Sequence, residues 1–169
     1  EPFQATLALA LKVLEDNYNI TYNQAAYPYF YDKTAGNAAV KDWTRGGALT
    51  AAQAEKLMGS CFNINLLKRE PAAYVHARAY TRRLLYDSID FLDNKTIDQS
   101  VGATAVGSGL TDATTGALLF VKDTAAYNTV IDAYGKTSIS TSFGTTTGPM
   151  LYILGWSRTT GAWNAYERP

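Results

Sequence analysis

Apolar residues recur at spacings of three and four over the first eighteen positions. Phe3, Leu7, Leu11, Leu14 and Tyr18 fall on one stripe, which predicts a helix from Phe3 to Tyr18. Glu1-Pro2 suits its start, because a proline in the first helical turn gives up no hydrogen bond. Asn17 and Asn19 suit its end. The pattern then changes. Ile20 to Gly36 carries Tyr22, Tyr27, Pro28, Tyr29, Phe30 and Tyr31. Pro28 breaks any helix there, so the expectation is an extended aromatic loop laid over the core. Ala38 to Thr44 reads as a short helix ended by Gly46-Gly47. Thr50-Ala51-Ala52-Gln53 is a capping box, with Thr50 as N-cap and Gln53 reaching back. The helix it opens carries Ala54, Leu57, Met58, Cys61, Phe62 and Leu66 as its apolar stripe. Gly59 inside that helix costs about 1 kcal/mol against Ala, and a close helix–helix contact is the expected reason for it.

Pro71 opens the strongest element, a helix over 71–93 that would be roughly 34 Å long at 1.5 Å per residue. Ala73, Ala77, Tyr80, Leu84, Ser88 and Phe91 form one stripe, and Tyr74, Thr81, Leu85, Ile89 and Leu92 a second beside it. A helix apolar over that much of its surface is central. Residues 96–116 are Gly, Ser, Thr and Ala with isolated Val and Leu, and read as a loop. Ala117 to Val121 is a short apolar run, a strand or a helix start. Thr124 to Tyr134 reads as helix, Ser138 to Thr147 as loop, and Pro149 to Leu154 as a short helix or strand. An aromatic tail with Trp156 and Trp163 closes the chain. The expected fold class is mainly α: a compact helical domain around the long helix at about 71–93, with long aromatic and Ser/Thr/Gly-rich loops and room for a few short strands. No internal repeat is visible. Residues 1–169 read as one domain, with 96–116 the best linker candidate between a helical part, 1–95, and a smaller part, 117–169.

Composition narrows the function classes. The 169 residues carry 15 basic and 15 acidic side chains, so no strong basic field exists to hold nucleic acid or an anionic membrane. No apolar run approaches the roughly 20 residues needed to cross a bilayer. A surface rich in Tyr, Asn, Ser and Thr is a style common outside the cytoplasm, which suggests a secreted or cell-surface protein. The chain begins at Glu1-Pro2 with neither an initiator Met nor a signal peptide, and so reads as a processed product, a fragment or an excised domain.

One Cys and one His limit the chemistry further. A single Cys excludes an intramolecular disulfide, a Cys-pair zinc site and an iron–sulfur cluster on this chain's own thiolates. No Cys-x-x-Cys-His is present, so the chain attaches no c-type haem of its own in the usual way. Cys61 and His76, fifteen residues apart, are the only Cys/His combination. No protease signature surrounds Cys61, which reads as a small buried apolar residue. His-Glu-x-x-His, Walker and Gly-x-Gly-x-x-Gly patterns are absent. Asp87, Asp90 and Asp93 read as a solvated face. No catalytic residue and no metal site is assigned, and the chain reads as a non-enzyme. His76 has two readings: a boundary histidine bonded to a backbone carbonyl, or an axial ligand offered to a haem iron carried by another segment or chain. Tyr27, Tyr29, Phe30, Tyr31, Trp156 and Trp163 are hydrophobic filler or partner contacts, since aromatic area serves both uses.

From Ala25 through Val101 particular runs stand out. Tyr27-Pro28-Tyr29-Phe30-Tyr31 precedes Lys41-Asp42-Trp43-Thr44. Met58-Gly59-Ser60-Cys61-Phe62-Asn63-Ile64-Asn65-Leu66-Leu67 follows. Then come Glu70-Pro71-Ala72-Ala73-Tyr74-Val75-His76-Ala77-Arg78 and Tyr86-Asp87-Ser88-Ile89-Asp90-Phe91-Leu92-Asp93-Asn94. This stretch resembles the haem-free C-terminal region of large extracellular multihaem c-type cytochromes from metal-reducing bacteria. The ending Gly161-Ala162-Trp163-Asn164, with Glu167-Arg168-Pro169, is similar to the tail of such proteins. Two departures matter: Cys61 stands where Ala is usual, and the defining Cys-x-x-Cys-His segments are missing. The resemblance implies a non-catalytic structural or docking module of an extracellular electron-transfer system. In that system haem c sits on a parent or partner chain, and a multihaem cytochrome segment is the partner. It also strengthens the axial-ligand reading of His76. The alternative is an extracellular structural or adhesive subunit that packs against copies of itself in a fibre or surface layer. A hydrolase or glycan-binding domain using Trp43, Trp156 and Trp163 ranks last.

Overall fold

The computed structural model describes residues 2–70, 72–122 and 145–153, together with the backbone of four short strands further along. The mainly α expectation holds. Among the described residues six helices surround one apolar core, with a small three-stranded sheet at its side. Helix α1 (Pro2–Tyr18) has nine buried residues of seventeen and lies against α4 (Arg78–Asn94) along its length. The two run parallel. Near one end Phe3 stacks on Tyr74 at 5.4 Å, and at the other the Asn17 side-chain amide donates to the carbonyls of Leu92 and Asp93, each at 3.0 Å. Those carbonyls lie in the last turn of α4, where the helix leaves its own acceptors unpaired, so Asn17 serves as a cap supplied by a neighbouring helix. Helix α2 (Ala51–Arg69) packs on α4 from another side, where Asn63 donates to Ser88 at 3.1 Å.

The capping box forms as expected. Gln53 N–H donates to Thr50 Oγ1 at 3.2 Å, and Thr50 N–H donates to Gln53 Oε1 at 3.0 Å. The buried face of α2 differs from the expected stripe. Ala54, Leu57, Ser60, Cys61, Ile64 and Leu67 are buried, whereas Met58, Phe62 and Leu66 are exposed. The sequence carries two apolar rows on this helix, at 54/57/61/64 and at 58/62/66, and only the first faces α4. Gly59 lies on the solvent side, and a Cβ built there meets nothing within 4 Å. No close helix contact explains this glycine.

Three further expectations change. The helix over 71–93 is two helices: α3 (Ala73–His76) and α4, parted at Ala77, whose φ of −140° and ψ of 52° leave the helical region. Residues 74–80 are all exposed, so no buried face enforces continuity there. The aromatic segment is not a plain loop. Strands β1 (Ile20–Tyr22), β2 (Phe30–Asp32) and β3 (Ala38–Ala39) form an antiparallel sheet with Tyr22 opposite Phe30 and Asp32 opposite Ala38. Ala38 to Thr44 is therefore strand and turns, not helix, and both Gly46 and Gly47 adopt the left-handed φ that glycine permits. The stretch 96–116 contains α5 (Val101–Gly107), whose Val101, Gly102 and Ala105 are buried.

Beyond it, Thr111 bridges Leu118 in an extended pair. Strands β4 (Val130–Ile131) and β5 (Thr137–Ser138) pair antiparallel, so a helix does not continue to Tyr134; residues 124–129 and 132–136 lie outside the described residues. Helix α6 (Gly148–Ile153) returns to the core through Met150, Tyr152 and Ile153, and Arg82 donates to the carbonyls of Leu151 and Tyr152. Strands β6 (Gly155–Ser157) and β7 (Ala162–Asn164) pair with Trp156 and Trp163 in register.

Two substitutions test this packing by urea unfolding. Gly59→Ala is expected to raise stability by about 0.5–1 kcal/mol, because it adds helix propensity without a clash. Leu85→Ala, at a fully buried position of α4, is expected to cost about 2–5 kcal/mol.

Candidate functional site

Six of the large exposed apolar side chains of the described residues fall on consecutive elements, while Tyr27, Ile97, Val106 and Leu118 lie elsewhere. Met58, Phe62 and Leu66 are four residues apart on α2 and so share one face. Tyr74 and Val75 follow on α3, and Tyr80 on the first turn of α4. Phe62, Val75 and Tyr80 are 65%, 63% and 61% exposed. Large exposed apolar side chains, where they adjoin, are the kind of surface that partners cover. His76 sits at the end of α3 within this stretch and is exposed. Its imidazole makes no hydrogen bond or ion pair with a described residue. A boundary histidine held by a carbonyl is thus not what the described residues provide. Beside α3, Pro2, Phe3, Tyr74, Val75, Arg78 and Tyr152 line a cavity of about 390 Å³.

The aromatic segment divides. Phe30 is buried in the core, tilted against Tyr22 at 5.2 Å, so its ring is core material. Tyr27 is 84% exposed and meets Tyr29 edge to face at 5.7 Å. Tyr29 is half-buried under the Arg69 guanidinium at 5.0 Å. The Tyr31 hydroxyl donates to the carbonyls of Ala26 and Tyr27 at 3.1 Å each. Trp156 and Trp163 are brought opposite each other by the β6–β7 register. Cys61 is buried at 2% exposure, and burial pushes its thiol well above the usual range, so it offers neither a thiolate nor a haem attachment point. Cys61 in the core and His76 on the surface do not form a nucleophile–base pair.

A cleft of about 520 Å³ lies between the C-terminal turn of α1 and the β2–α2 connection, lined in part by Asn19, Asp32, Asp42, Arg45 and Lys95. Arg45 donates to Asp32, with both side chains mostly buried. Asp42 accepts from Thr44 and from Gly46 N–H at 2.6 Å. The bond from Arg45 holds the Asp32 carboxyl far below the usual range, and the bond from the Thr44 hydroxyl lowers Asp42. Both stay ionised, so neither is a general acid near neutrality. They set the loop geometry instead. Asp90 was expected on a solvated face and is fully buried. Its two oxygens accept from Gln99 N–H at 3.0 Å and Ser100 N–H at 2.9 Å, which explains how a carboxylate can sit inside. Burial raises the pKa of Asp90 and of Asp93.

The depressed pKa of Asp32 fixes the sign of its pH linkage. Its contribution is present above about pH 4, the ordinary Asp value, and is lost as pH falls toward the depressed folded value. Asp32→Asn is therefore expected to be less stable than the parent at pH 7, with the gap closing below pH 4. Denaturant midpoints of both chains across that range check this.

The comparisons with known proteins agree with the resemblance to multihaem c-type cytochromes. The chain is 36% identical over 89 residues to the C-type polyheme cytochrome OmcC of Geobacter sulfurreducens, covering 46% of this chain and 11% of the cytochrome. It is also 36% identical over 89 residues to the C-type polyheme cytochrome OmcB of the same organism, covering 12% of that protein. The match thus spans about a ninth of the length of these curated relatives. No protein-family model and no solved structure matches. This chain, with a single cysteine and no haem-attachment motif, is similar to one portion of C-type polyheme cytochromes.

Proposed function

We propose that the chain is a non-catalytic docking module of an extracellular multihaem electron-transfer system. In this reading it seats on a haem-bearing segment through exposed apolar side chains of α2, α3 and the first turn of α4. One observation carries the reading: the similarity to part of polyheme cytochromes belongs to a chain that has no Cys-x-x-Cys-His of its own. The haem therefore belongs to a parent or partner chain. The exposed apolar side chains supply what docking needs, since contact surfaces draw their energy from a few large side chains. His76 follows the exposed Tyr74 and Val75 on α3, has no partner among the described residues, and is the residue offered as an axial ligand to one haem iron. An imidazole ligand from a separate segment holds an iron by the same nitrogen chemistry as one from the haem-bearing segment itself. A self-assembling adhesive subunit is the reading the comparisons do not favour.

Binding of the chain to the haem-bearing part of the native protein or complex tests the docking role. Phe62→Glu and Val75→Glu each place a charge among these side chains, and each is expected to weaken binding about tenfold or more, as for loss of a central contact, with unchanged far-UV circular dichroism. Unchanged affinity in both variants removes these contacts, and absence of any complex removes the reading. His76→Ala is expected to convert one low-spin haem to high spin in the complex, with added imidazole restoring the low-spin spectrum. An unchanged spectrum removes the axial ligand and leaves docking to be judged by the charge variants.

A further inference from the structure

The cavity beside α3 has three aromatic rings and one charge on its wall. Phe3, Tyr74 and Tyr152 supply the rings, Pro2 and Val75 add aliphatic surface, and Arg78 supplies the charge. Its volume of about 390 Å³ is in the range of small-ligand sites. No carboxylate is among its described lining residues. The rings have contacts of their own. Phe3 is buried and stacks on Tyr74, while Arg82 donates to the carbonyls of Leu151 and Tyr152 and lies 5.7 Å from the Tyr152 ring centre. These contacts hold the rings in place without an occupant.

Arg78 differs from Arg82 in having nothing to hold. It is exposed, and its guanidinium makes no hydrogen bond or ion pair with a described residue. By contrast, Arg45 pairs with Asp32 and Arg69 lies over the Tyr29 ring. An unpaired guanidinium on the wall of an aromatic cavity is suited to a carboxylate attached to an apolar body. Its planar fork matches the two carboxylate oxygens, and the rings take the apolar part. His76 stands two residues before Arg78 and also has no partner among the described residues. Two residues span at most about 7 Å of backbone. An imidazole and a guanidinium that close together suit one ligand with a metal at its centre and carboxylates at its edge. A haem has that make-up, with iron in an apolar ring and propionates along one side.

We propose that this cavity receives the propionate-bearing edge of a haem on the partner segment, with Arg78 as the carboxylate's partner. The inference rests on the docking reading above and names the part of the partner that enters. Phe3, Tyr74 and Tyr152 lower the local dielectric, which strengthens the bond between guanidinium and carboxylate. The cavity reads a carboxylate and a ring edge, not the iron. The role of Arg78 is therefore separable from that of His76.

The test uses the full chain and iron-free protoporphyrin IX, which carries propionates but offers His76 no metal. Titration followed by the porphyrin absorption band is expected to show saturable one-to-one binding. The dimethyl ester of the same porphyrin has no carboxylate charge and is expected to bind about tenfold or more weakly, as for loss of a charge-assisted bond. Arg78→Gln is expected to bind the free acid no better than the ester. Arg78→Lys is expected to recover part of the loss, because it returns the charge without the fork. His76→Ala is expected to bind like the parent. Equal binding of acid and ester overturns the proposal, since that is apolar adsorption, and so does Arg78→Gln binding the acid like the parent. Absence of saturable binding overturns it as well. In the complex with the haem-bearing part, Arg78→Gln is expected to weaken binding about tenfold with the low-spin haem spectrum retained in what binds. A complex that forms equally well with Arg78→Gln overturns the proposal and leaves docking standing. If no complex forms, the docking reading falls, and the porphyrin titrations alone decide whether the cavity reads a carboxylate.

Discussion

Helix α4 must satisfy five neighbours at once, and the rest of the structure follows from how it does so. It meets α1, α2, α3, α5 and α6, and eight of its seventeen residues are buried. The contact with α1 is the most extensive, and it is a parallel pairing. Two parallel helices cannot be joined by a tight turn, so the chain has to travel back along the pair between them. The β1–β3 sheet and α2 make that return, and their positions follow from it. The carbonyls exposed where α4 ends are met by Asn17 of α1. The same contact that buries the apolar faces therefore also settles the polar end of the helix.

That pairing sorts the molecule into two ends. At one, α3 and the first turn of α4 extend past the core and bear exposed aromatic and aliphatic side chains around His76. At the other, α4 runs into a loop held by buried and half-buried carboxylates. The two ends differ: the first groups aromatic and aliphatic side chains, while the second sets its carboxylates beside the exposed Ile97.

Local rules were readable along the chain wherever both partners of an interaction are close in sequence. The Thr50–Gln53 capping box is one case and the α1 stripe another. What was not readable depended on distant partners. Periodicity on α2 offered two apolar rows, and only the position of α4 decides that Ile64 turns inward and Phe62 outward. The break at Ala77 left no trace in the pattern, because the apolar stripe resumes in phase on the far side. Helix α5 was hidden by its Gly, Ala and Thr content, which has little contrast to display. Asp90 looked like a surface acid, because what lets it sit inside is two backbone N–H groups of the next loop, and a side-chain pattern does not record those. For the candidate site, His76 was visible as a singular residue. Its setting among exposed apolar neighbours depends on how the helices face, so the sequence left two readings of it open.

Cys61 gives the chain a property that its sequence alone hides. The sulfur is reachable before α2 packs into the core and shielded afterwards. While α2 is undocked, the thiol can enter mixed disulfides or be captured by reagents; once α2 packs, exchange chemistry passes it by. The rate at which it escapes labelling during refolding therefore reports the docking of α2, read at one atom, with no added probe.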